Sequence, residues 1–376
     1  MFEIGQPVEE VPTPALLLDL DSFQWNIDKM FSFAREAGVN VRPHAKTFKA
    51  AAICSKLLDA GAIGVMTQKL GEAEALLNSG ILYDDKNILI SQELADPGKI
   101  ERLVGFNVAS GEGKVITAIE NEAEAVLLSK AAERWGVRQY VVLEVTQGRC
   151  GVAPGMPAVE LAKKVDRLGG LEFRGIYGYE GYPQREIALE RNKLTVETAE
   201  AIRATGIDVE IVSAGSTGTY EVTGTYPGIT EIEPGSFVFG VSPEGTGYGW
   251  RTVNDVYFKP ALTVLTQVIG ANFSDRVVTD AGVKVMSGGH AGVKPVVIVK
   301  ADGETIECEG VGLSEEHGTI RFKEGSEVRK SIRWGQKIEF VPNHCCTTVN
   351  QHDSIVVVKD SRVAAVWPVT ARGKYY

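Results

Sequence analysis

Short β-rich segments alternate with helix-like segments between residues 41 and 236, and this alternation constrains the fold more than any other feature of the chain. Helical periodicity is clearest in residues 71–78 and 187–204. The strand-like segments are residues 41–44, 63–67, 87–91, 115–120, 140–145, 175–179, 209–212 and 231–237. Eight alternating strands and helices predict an α/β fold, a closed parallel (β/α)8 barrel of the TIM type. A doubly wound open sheet is the alternative.

The pattern changes after residue 250, where strand-like segments are separated by Gly and Asp turns and no long helix is expected. These segments are residues 261–269, 277–280, 296–300, 319–322, 337–341 and 354–359. We therefore predict a barrel domain over residues 13–250 and an all-β domain over residues 251–376, which residues 1–12 are expected to join. A chain of 376 residues is long enough for two such units.

Composition excludes several functional classes. The formal charge is −10 and basic residues form no cluster, which argues against nucleic-acid binding. No segment approaches the roughly 18 consecutive apolar residues of a membrane span. The N-terminus, Met-Phe-Glu-Ile-Gly, lacks the charged start and apolar core of a signal peptide, and five cysteines fit a reducing compartment. We expect a cytoplasmic protein without nucleic-acid or membrane partners.

Polar and cationic residues follow the predicted strands, where the functional groups of a parallel barrel gather. Lys46 follows the first strand, in Pro-His-Ala-Lys-Thr-Phe-Lys at 43–49. A lysine there could form a Schiff base with pyridoxal phosphate (PLP), and a solvated surface lysine is the alternative. Other strand-end candidates are His44, Thr67, Gln68, Glu72, Gln147, Arg149, Tyr179, Glu180, Gly181 and Glu233.

The loop after the seventh strand, Ser-Ala-Gly-Ser-Thr-Gly-Thr at 213–219, is the candidate phosphate site. Small residues such as Gly215 let backbone N–H groups approach an anion, and Ser216 and Thr217 add hydroxyl donors. A flexible turn is the alternative. Arg149 lies in a glycine-rich segment, where its guanidinium could meet a phenolate or carboxylate oxygen or form a surface salt bridge.

His344 and Cys346 form the candidate metal site, within Pro-Asn-His-Cys-Cys-Thr-Thr at 342–348. Residues two apart in an extended segment point to the same face, so both could bind one ion. An imidazole nitrogen with a thiolate sulfur suits zinc. A buried cysteine pair beside a solvated histidine is the alternative.

Together these motifs resemble those of the D-threonine aldolase and D-serine dehydratase group of PLP enzymes, which share the alanine racemase-type fold (fold type III). The resemblance covers nearly the whole chain. The similar segments are residues 13–21, 42–47, 68–74, 148–152, 233–236 and 342–350, of which Arg-Pro-His-Ala-Lys-Thr and His-Cys-Cys are the most specific.

The resemblance implies a PLP barrel, a C-terminal β domain and a homodimer with its sites near the subunit interface. Lys46 would form the aldimine with PLP, Arg149 would contact the PLP phenolate oxygen and Tyr179 would lie near the ring. Alanine racemases carry an arginine facing the pyridine nitrogen, where this chain places Glu233. The other implied residues are His44 and Gln68 in the cofactor pocket, Ser213, Gly215, Ser216 and Thr217 at the phosphate, and His344 and Cys346 at a divalent metal, zinc or manganese.

The predicted function is that of a PLP- and metal-dependent lyase acting on 3-hydroxy-D-amino acids, in which the metal activates the 3-hydroxyl group. Two outcomes stay open: aldol cleavage to glycine and an aldehyde, or dehydration to a keto acid and ammonia. Within the group, cysteine at position 346 favours dehydration, whereas the following Thr-Thr-Val-Asn is more typical of the aldolases. An amino-acid racemase is the alternative, although it requires a second base and leaves His344 and Cys346 without a role. A non-catalytic PLP carrier is a further alternative. Such proteins are single barrels, so the β domain predicted after residue 250 argues against it.

Overall fold

A computed structural model of the protein describes residues 2–81, 85–145, 148–179, 184–240, 258–288 and 298–376. The first regular elements after a 3₁₀ turn at Val8–Glu10 are strand β1 (Ala15–Asp19) and helix α1 (Leu20–Ala37). The Asp19 carboxylate accepts a hydrogen bond from the Ser22 backbone N–H and so caps the helix.

Eight parallel strands form the N-terminal barrel, in chain order except that the last strand pairs with the first. They are β2 (Asn40–Val41), β3 (Gly64–Thr67), β4 (Asn87–Ile90), β5 (Val115–Ile119), β6 (Gln139–Glu144), β7 (Leu171–Gly178), β8 (Ile211–Ala214) and β9 (Glu231–Ile232). A bridge between His44 and Met66 and a hydrogen bond from the Met66 N–H to the Pro43 carbonyl (2.9 Å) join β2 to β3. The predicted parallel barrel is confirmed, and the open doubly wound sheet is not observed.

Helices follow the barrel strands and cover the outside of the barrel. They are α2 (Ala51–Asp59), α3 (Leu70–Leu77), α4 (Pro97–Ser110), α5 (Glu122–Trp135), α6 (Met156–Asp166), α7 (Arg185–Arg203) and α8 (Tyr220–Gly224), and a 3₁₀ turn at Ser236–Phe239 follows β9. The inside of the barrel is filled by side chains from alternating strand positions, including Met66, Leu89, Val142 and Tyr177. The barrel is therefore a packed core whose open end, at the carboxyl ends of the strands, is left for chemistry.

The second unit is a mostly antiparallel, ten-stranded sheet. Its C-terminal strands are β10 (Leu262–Gly270), β11 (Arg276–Thr279), β12 (Ile298–Ala301), β13 (Glu304–Thr305), β14 (Gly310–Leu313), β15 (Gly318–Arg321), β16 (Lys337–Val341), β17 (Ser354–Lys359) and β18 (Arg362–Pro368). β1 lies between β10 and β17 in this sheet. Within residues 258–288 and 298–376 no long helix occurs, as expected, but there are two one-turn helices, α9 (Glu327–Ser331) and α10 (Cys345–Val349).

The predicted domain limits of 13–250 and 251–376 remain predictions, since residues 241–257 at the proposed junction lie outside the described residues. The N-terminal segment does contact the second sheet, through a bridge between Pro7 and Arg362. Gln147, Glu180 and Gly181, which we expected at strand ends, also lie outside the described residues. No helix in the described ranges is long and apolar enough to cross a membrane.

Candidate active site

Lys46 lies just beyond β2, at the carboxyl end of the barrel. The Ala45 N–H donates to the Met66 carbonyl (2.7 Å) and the His44 N–H donates to the Pro234 carbonyl (3.1 Å), so this turn is held on both sides. Gly235 makes the close approach possible, because a Cβ atom there would lie 2.5 Å from Thr47 Oγ1. The side chain of Lys46 is half-buried, and its Nζ lies 5.7 Å from the centre of the Tyr179 ring.

The surroundings of Lys46 favour its neutral amine. Burial lowers the pKa of Lys46, and the positive charge of Arg149 lowers it further. Negative charge on Cys346 and Glu233 opposes this shift without reversing it. A lysine with a lowered pKa carries more of the nucleophilic free amine, which is the form that reacts with a carbonyl group.

His44 and Gln68 lie next to each other near Lys46. Burial lowers the pKa of His44 well below its ordinary value, and the charge of Lys46 adds to the effect, so the imidazole is neutral. Its Nε2 lies 3.5 Å from Ser91 Oγ, and the Gln68 side chain donates to the Ser91 carbonyl (3.0 Å). His44 Nδ1 is buried and lacks a hydrogen bond of normal geometry among the described residues. Because buried polar atoms usually have partners, this nitrogen fits a bound group at the site.

Arg149 and Tyr179 meet above the barrel end. The Arg149 Cζ atom lies 5.4 Å from the centre of the same Tyr179 ring that Lys46 faces. The guanidinium also lies 3.6 Å, from Nη2 to Oε1, from the buried carboxylate of Glu144. The structure therefore brings Lys46, Arg149 and Tyr179 together, as the positions of their strand ends predicted.

The loop after β8 has the features of an anion cradle only in part. Gly215 adopts a φ of +91°, which a side chain rarely tolerates. The Ser216 N–H donates to Thr219 Oγ1 (3.0 Å), and Thr217 Oγ1 accepts from the Phe237 N–H (3.1 Å), so this loop is tied to the segment after β9. Ser213 points elsewhere: its hydroxyl donates to the buried carboxylate of Glu233 (3.4 Å).

His344 and Cys346 do not lie in an extended segment, so that expectation was wrong from residue 345 onward. His344 is extended and precedes α10, and Cys346 lies in its first turn. Hydrogen bonding from Cys345 lowers the pKa of Cys346 well below its ordinary value despite burial, and His344 and Thr47 act in the same direction. A thiolate beside an imidazole is a donor pair that suits a divalent ion such as zinc.

Thr47 connects the two halves of the site, since Cys346 Sγ lies 3.4 Å from Thr47 Oγ1 and Thr47 follows Lys46 directly. The sequence reasoning did not select Thr47, although it stands within the segment singled out for Lys46. It also missed Ser91 and Glu144. Glu144 had a detectable signal, because it is a charged residue in an otherwise apolar predicted strand.

The residues present fit PLP and a divalent ion. A lysine with a lowered pKa, a neutral histidine whose buried Nδ1 lacks a partner in the described part of the chain, and a small-residue loop at the strand ends suit an aldehyde cofactor that carries a phosphate. The depressed pKa of Cys346 beside His344 suits the metal.

Two family models match the chain. The model described as "Alanine racemase, N-terminal domain" matches residues 18–243. The model described as "Putative serine dehydratase domain" matches residues 261–358. The barrel therefore matches the first of these family models, and the β domain matches the second.

Relatives match over nearly the full length. The 3-hydroxy-D-aspartate aldolase of Paracoccus denitrificans (strain Pd 1222) is 33% identical over 99% of this chain and 95% of its own. The crystal structure of D-threonine aldolase from Filomicrobium marinum superimposes with a TM-score of 0.87, at 32% identity, over 100% of this chain and 99% of its own. D-threo-3-hydroxyaspartate dehydratase from Delftia sp. HT23 gives a TM-score of 0.80 at 25% identity, over 96% of this chain and 98% of its own. A mutant of that dehydratase is described in a metal-free form.

The barrel, the second sheet and a lysine with a lowered pKa at the end of the first strand define an enzyme of the alanine racemase-type fold. The similarity to these relatives over nearly the full length of the chain identifies the family within this fold. The chain belongs to the D-threonine aldolase and D-serine dehydratase-like family of PLP enzymes, and it is a PLP-dependent lyase.

Proposed function

We propose that the protein is a PLP- and divalent metal-dependent lyase that acts on 3-hydroxy-D-amino acids. The observation that carries the proposal is the contact between Cys346 Sγ and Thr47 Oγ1, at 3.4 Å. This contact supports a metal site beside Lys46, where an amino acid held at Lys46 would present its 3-hydroxyl group to a Lewis acid. The printed activities of the relatives, on 3-hydroxy-D-aspartate, D-threonine and D-threo-3-hydroxyaspartate, support this substrate class.

When bound, PLP supplies an electron sink for negative charge at the α-carbon. Lys46 would hold PLP, and its lowered pKa favours the neutral amine, which can accept a proton. Arg149 would face the phenolate oxygen, Tyr179 would lie near the ring, and His44 and Gln68 would line the cofactor pocket.

The loop containing Gly215, Ser216 and Thr217 would hold the phosphate. Ser213 would act indirectly, because its hydroxyl hydrogen bonds to Glu233. Glu233 is buried and raises the pKa of Lys46, so it lies within electrostatic reach of the amine. A carboxylate there would favour a protonated pyridine nitrogen.

His344 and Cys346 would hold the divalent ion, zinc or manganese, which supplies Lewis acidity toward a hydroxyl group. The thiolate of Cys346 favours the dehydratase outcome by the resemblance drawn above, whereas relatives at 33% and 32% identity are aldolases. Because these two observations favour different outcomes, one experiment should measure both carbon–oxygen and carbon–carbon cleavage. We also propose a cytoplasmic homodimer, for which sedimentation of the purified holoenzyme is the direct measurement of subunit number.

The deciding experiment incubates purified, PLP-loaded protein with D-threonine, D-serine and 3-hydroxy-D-aspartate, each with chelator, zinc or manganese. Glycine formation reports aldol cleavage, and keto acid with ammonia reports dehydration. Metal-dependent formation of either product is the expected result. Conversion of these substrates to their L-isomers without either product would refute the lyase proposal and favour an amino-acid racemase.

A further inference from the structure

Two carboxyl groups and a thiol meet behind Arg149, at the carboxyl ends of β4 and β6. One potential ligand atom each from Glu93, Glu144 and Cys150 lies within 4.8 Å of the others. Glu144 is the last residue of β6 and only 1% exposed. Cys150 Sγ and Arg149 Nη2 each lie 3.6 Å from Glu144 Oε1. The predicted site does not use Glu93, Glu144 or Cys150.

Each of the two carboxyl groups has a buried oxygen without a hydrogen-bond partner among the described residues, and one proton held between the carboxyls would serve both. Glu144 Oε2 and Glu93 Oε1 are both buried and lack a hydrogen bond of normal geometry among the described residues. One carboxyl oxygen of Glu93 nevertheless lies within 4.8 Å of one of Glu144. Two ionised carboxylates only accept hydrogen bonds, so they would repel, whereas one shared proton satisfies an oxygen of each.

We propose that Glu144 positions the Arg149 guanidinium beside Lys46 and Tyr179, and that Glu93 shares one proton with Glu144 so that the carboxyl pair matches the single charge of Arg149. Glu144 is thus a positioning residue that acts through Arg149. The assignment rests on the proposed function in one respect, namely that Arg149 faces the cofactor. Arg149 does reach the reaction centre electrostatically, since its charge lowers the pKa of both Lys46 and His44.

The electrostatics of the pair agree with a shared proton. Burial raises the pKa of Glu144 to about 8, the hydrogen bond and charge of Glu93 add to the shift, and Arg149 opposes it. Glu144 therefore holds a proton at neutral pH and loses it as the pH passes 8.

Other titratable groups face this cluster but already have their own roles. The Glu120 carboxylate accepts from the Gly151 N–H (2.5 Å), and the Glu124 carboxylate accepts from the Leu94 N–H (2.6 Å). Both therefore fasten the loops that carry Arg149 and Glu93. Tyr177 is buried, with its pKa raised well above the ordinary value by desolvation, so it stays neutral. A divalent cation would be the other occupant for two carboxylates and a thiol, but the guanidinium at 3.6 Å opposes a second positive charge.

The test compares Glu144→Gln, Glu144→Asp and Glu93→Gln in the holoenzyme, with Glu160→Gln as the matched control. Glu160 is an exposed barrel carboxylate that pairs only with Lys163 in the described structure. For each protein, the absorbance of bound PLP is titrated from about pH 6 to about pH 10, and the PLP dissociation constant, kcat and KM are measured.

We expect a step in the wild-type absorbance near pH 8, where Glu144 ionises. Glu93→Gln removes the like charge but leaves Glu144 buried, so the Glu144 pKa falls and the step moves to lower pH while PLP affinity stays near wild type. Glu144→Gln weakens PLP binding and lowers kcat by about 100-fold, since Arg149 loses its anchor. Glu144→Asp keeps the charge and restores part of the loss.

Two results would overturn the proposal: a Glu144→Gln protein with wild-type PLP affinity and kcat, or a step near pH 8 that survives in Glu93→Gln. The absorbance and PLP-binding measurements require no substrate. If no lyase product forms from any substrate, the proposed function fails while the positioning role of Glu144 is still measured.

Discussion

Glu231→Gln should destabilise the barrel more than any exposed charge substitution. The Arg42 guanidinium donates two hydrogen bonds to the Glu231 carboxylate, Nε to Oε1 at 2.8 Å and Nη2 to Oε2 at 3.0 Å. Its remaining nitrogen, Nη1, donates to Asn87 Oδ1 at 2.5 Å. The pair joins the segment after β2 to β9, and so ties the first barrel strand to the last.

The expected cost follows from burial. The side chains of Arg42 and Glu231 are 2% and 3% exposed, so glutamine would leave a guanidinium charge without a counter-ion inside the protein. Breaking such a pair costs about 3 to 5 kcal/mol. For a domain of this size, the thermal midpoint should fall by about 10 °C.

The assay is thermal and urea unfolding of the holoenzyme, followed by circular dichroism. The control is Glu327→Gln, which removes an exposed partner of Lys330 and should leave the midpoint unchanged. A double variant, Arg42→Met with Glu231→Leu, should recover much of the loss because no charge is left unpaired. Equal midpoints for Glu231→Gln and the control would refute the reasoning, since they would mean that the pair adds nothing to barrel closure.

Three further outcomes are expected at the site. Lys46→Ala should lose the absorbance of bound PLP and all lyase activity, and an unchanged spectrum would remove Lys46 from its role. Cys346→Ala should reduce metal bound per subunit, measured by elemental analysis, with an affinity loss larger than the roughly 10- to 100-fold typical for partners outside the ligand set, whereas Cys308→Ala should bind metal normally. Gly235→Ala places a Cβ atom 2.5 Å from Thr47 Oγ1, so it should cost about 1 to 3 kcal/mol in urea unfolding and weaken PLP binding. Wild-type stability and PLP affinity in that variant would contradict the close-packing argument.

Much of the fold could be predicted from local sequence. Alternation of apolar strands with helical segments is a periodic signal, and eight such units have few ways to bury their apolar faces other than a barrel. Parallel strands end on one side, so the order of strand ends along the chain predicted that Lys46, Arg149 and Tyr179 would lie at the same end of the barrel, whereas the resemblance alone implied their places around the cofactor. The position of these three residues at one end of the barrel follows from the backbone path alone.

Residues that meet across the two units could not be paired from the sequence. Thr47 and Cys346 are 299 positions apart, and their contact depends on how the second sheet is placed on the barrel. The helical turn at Cys345 also broke the assumption of an extended segment, because five residues are too few for a reliable helical period.

Protonation and side-chain direction were likewise set by packing. Nothing in the chain order indicates that Ser213 turns toward Glu233, or that carboxyl oxygens of Glu93 and Glu144 lie within 4.8 Å of each other. Pattern along the chain determines which strand ends carry reactive groups, because it follows from backbone periodicity. Tertiary structure decides which of those groups are buried, paired and charged, because desolvation and electrostatic interaction depend on distances in space.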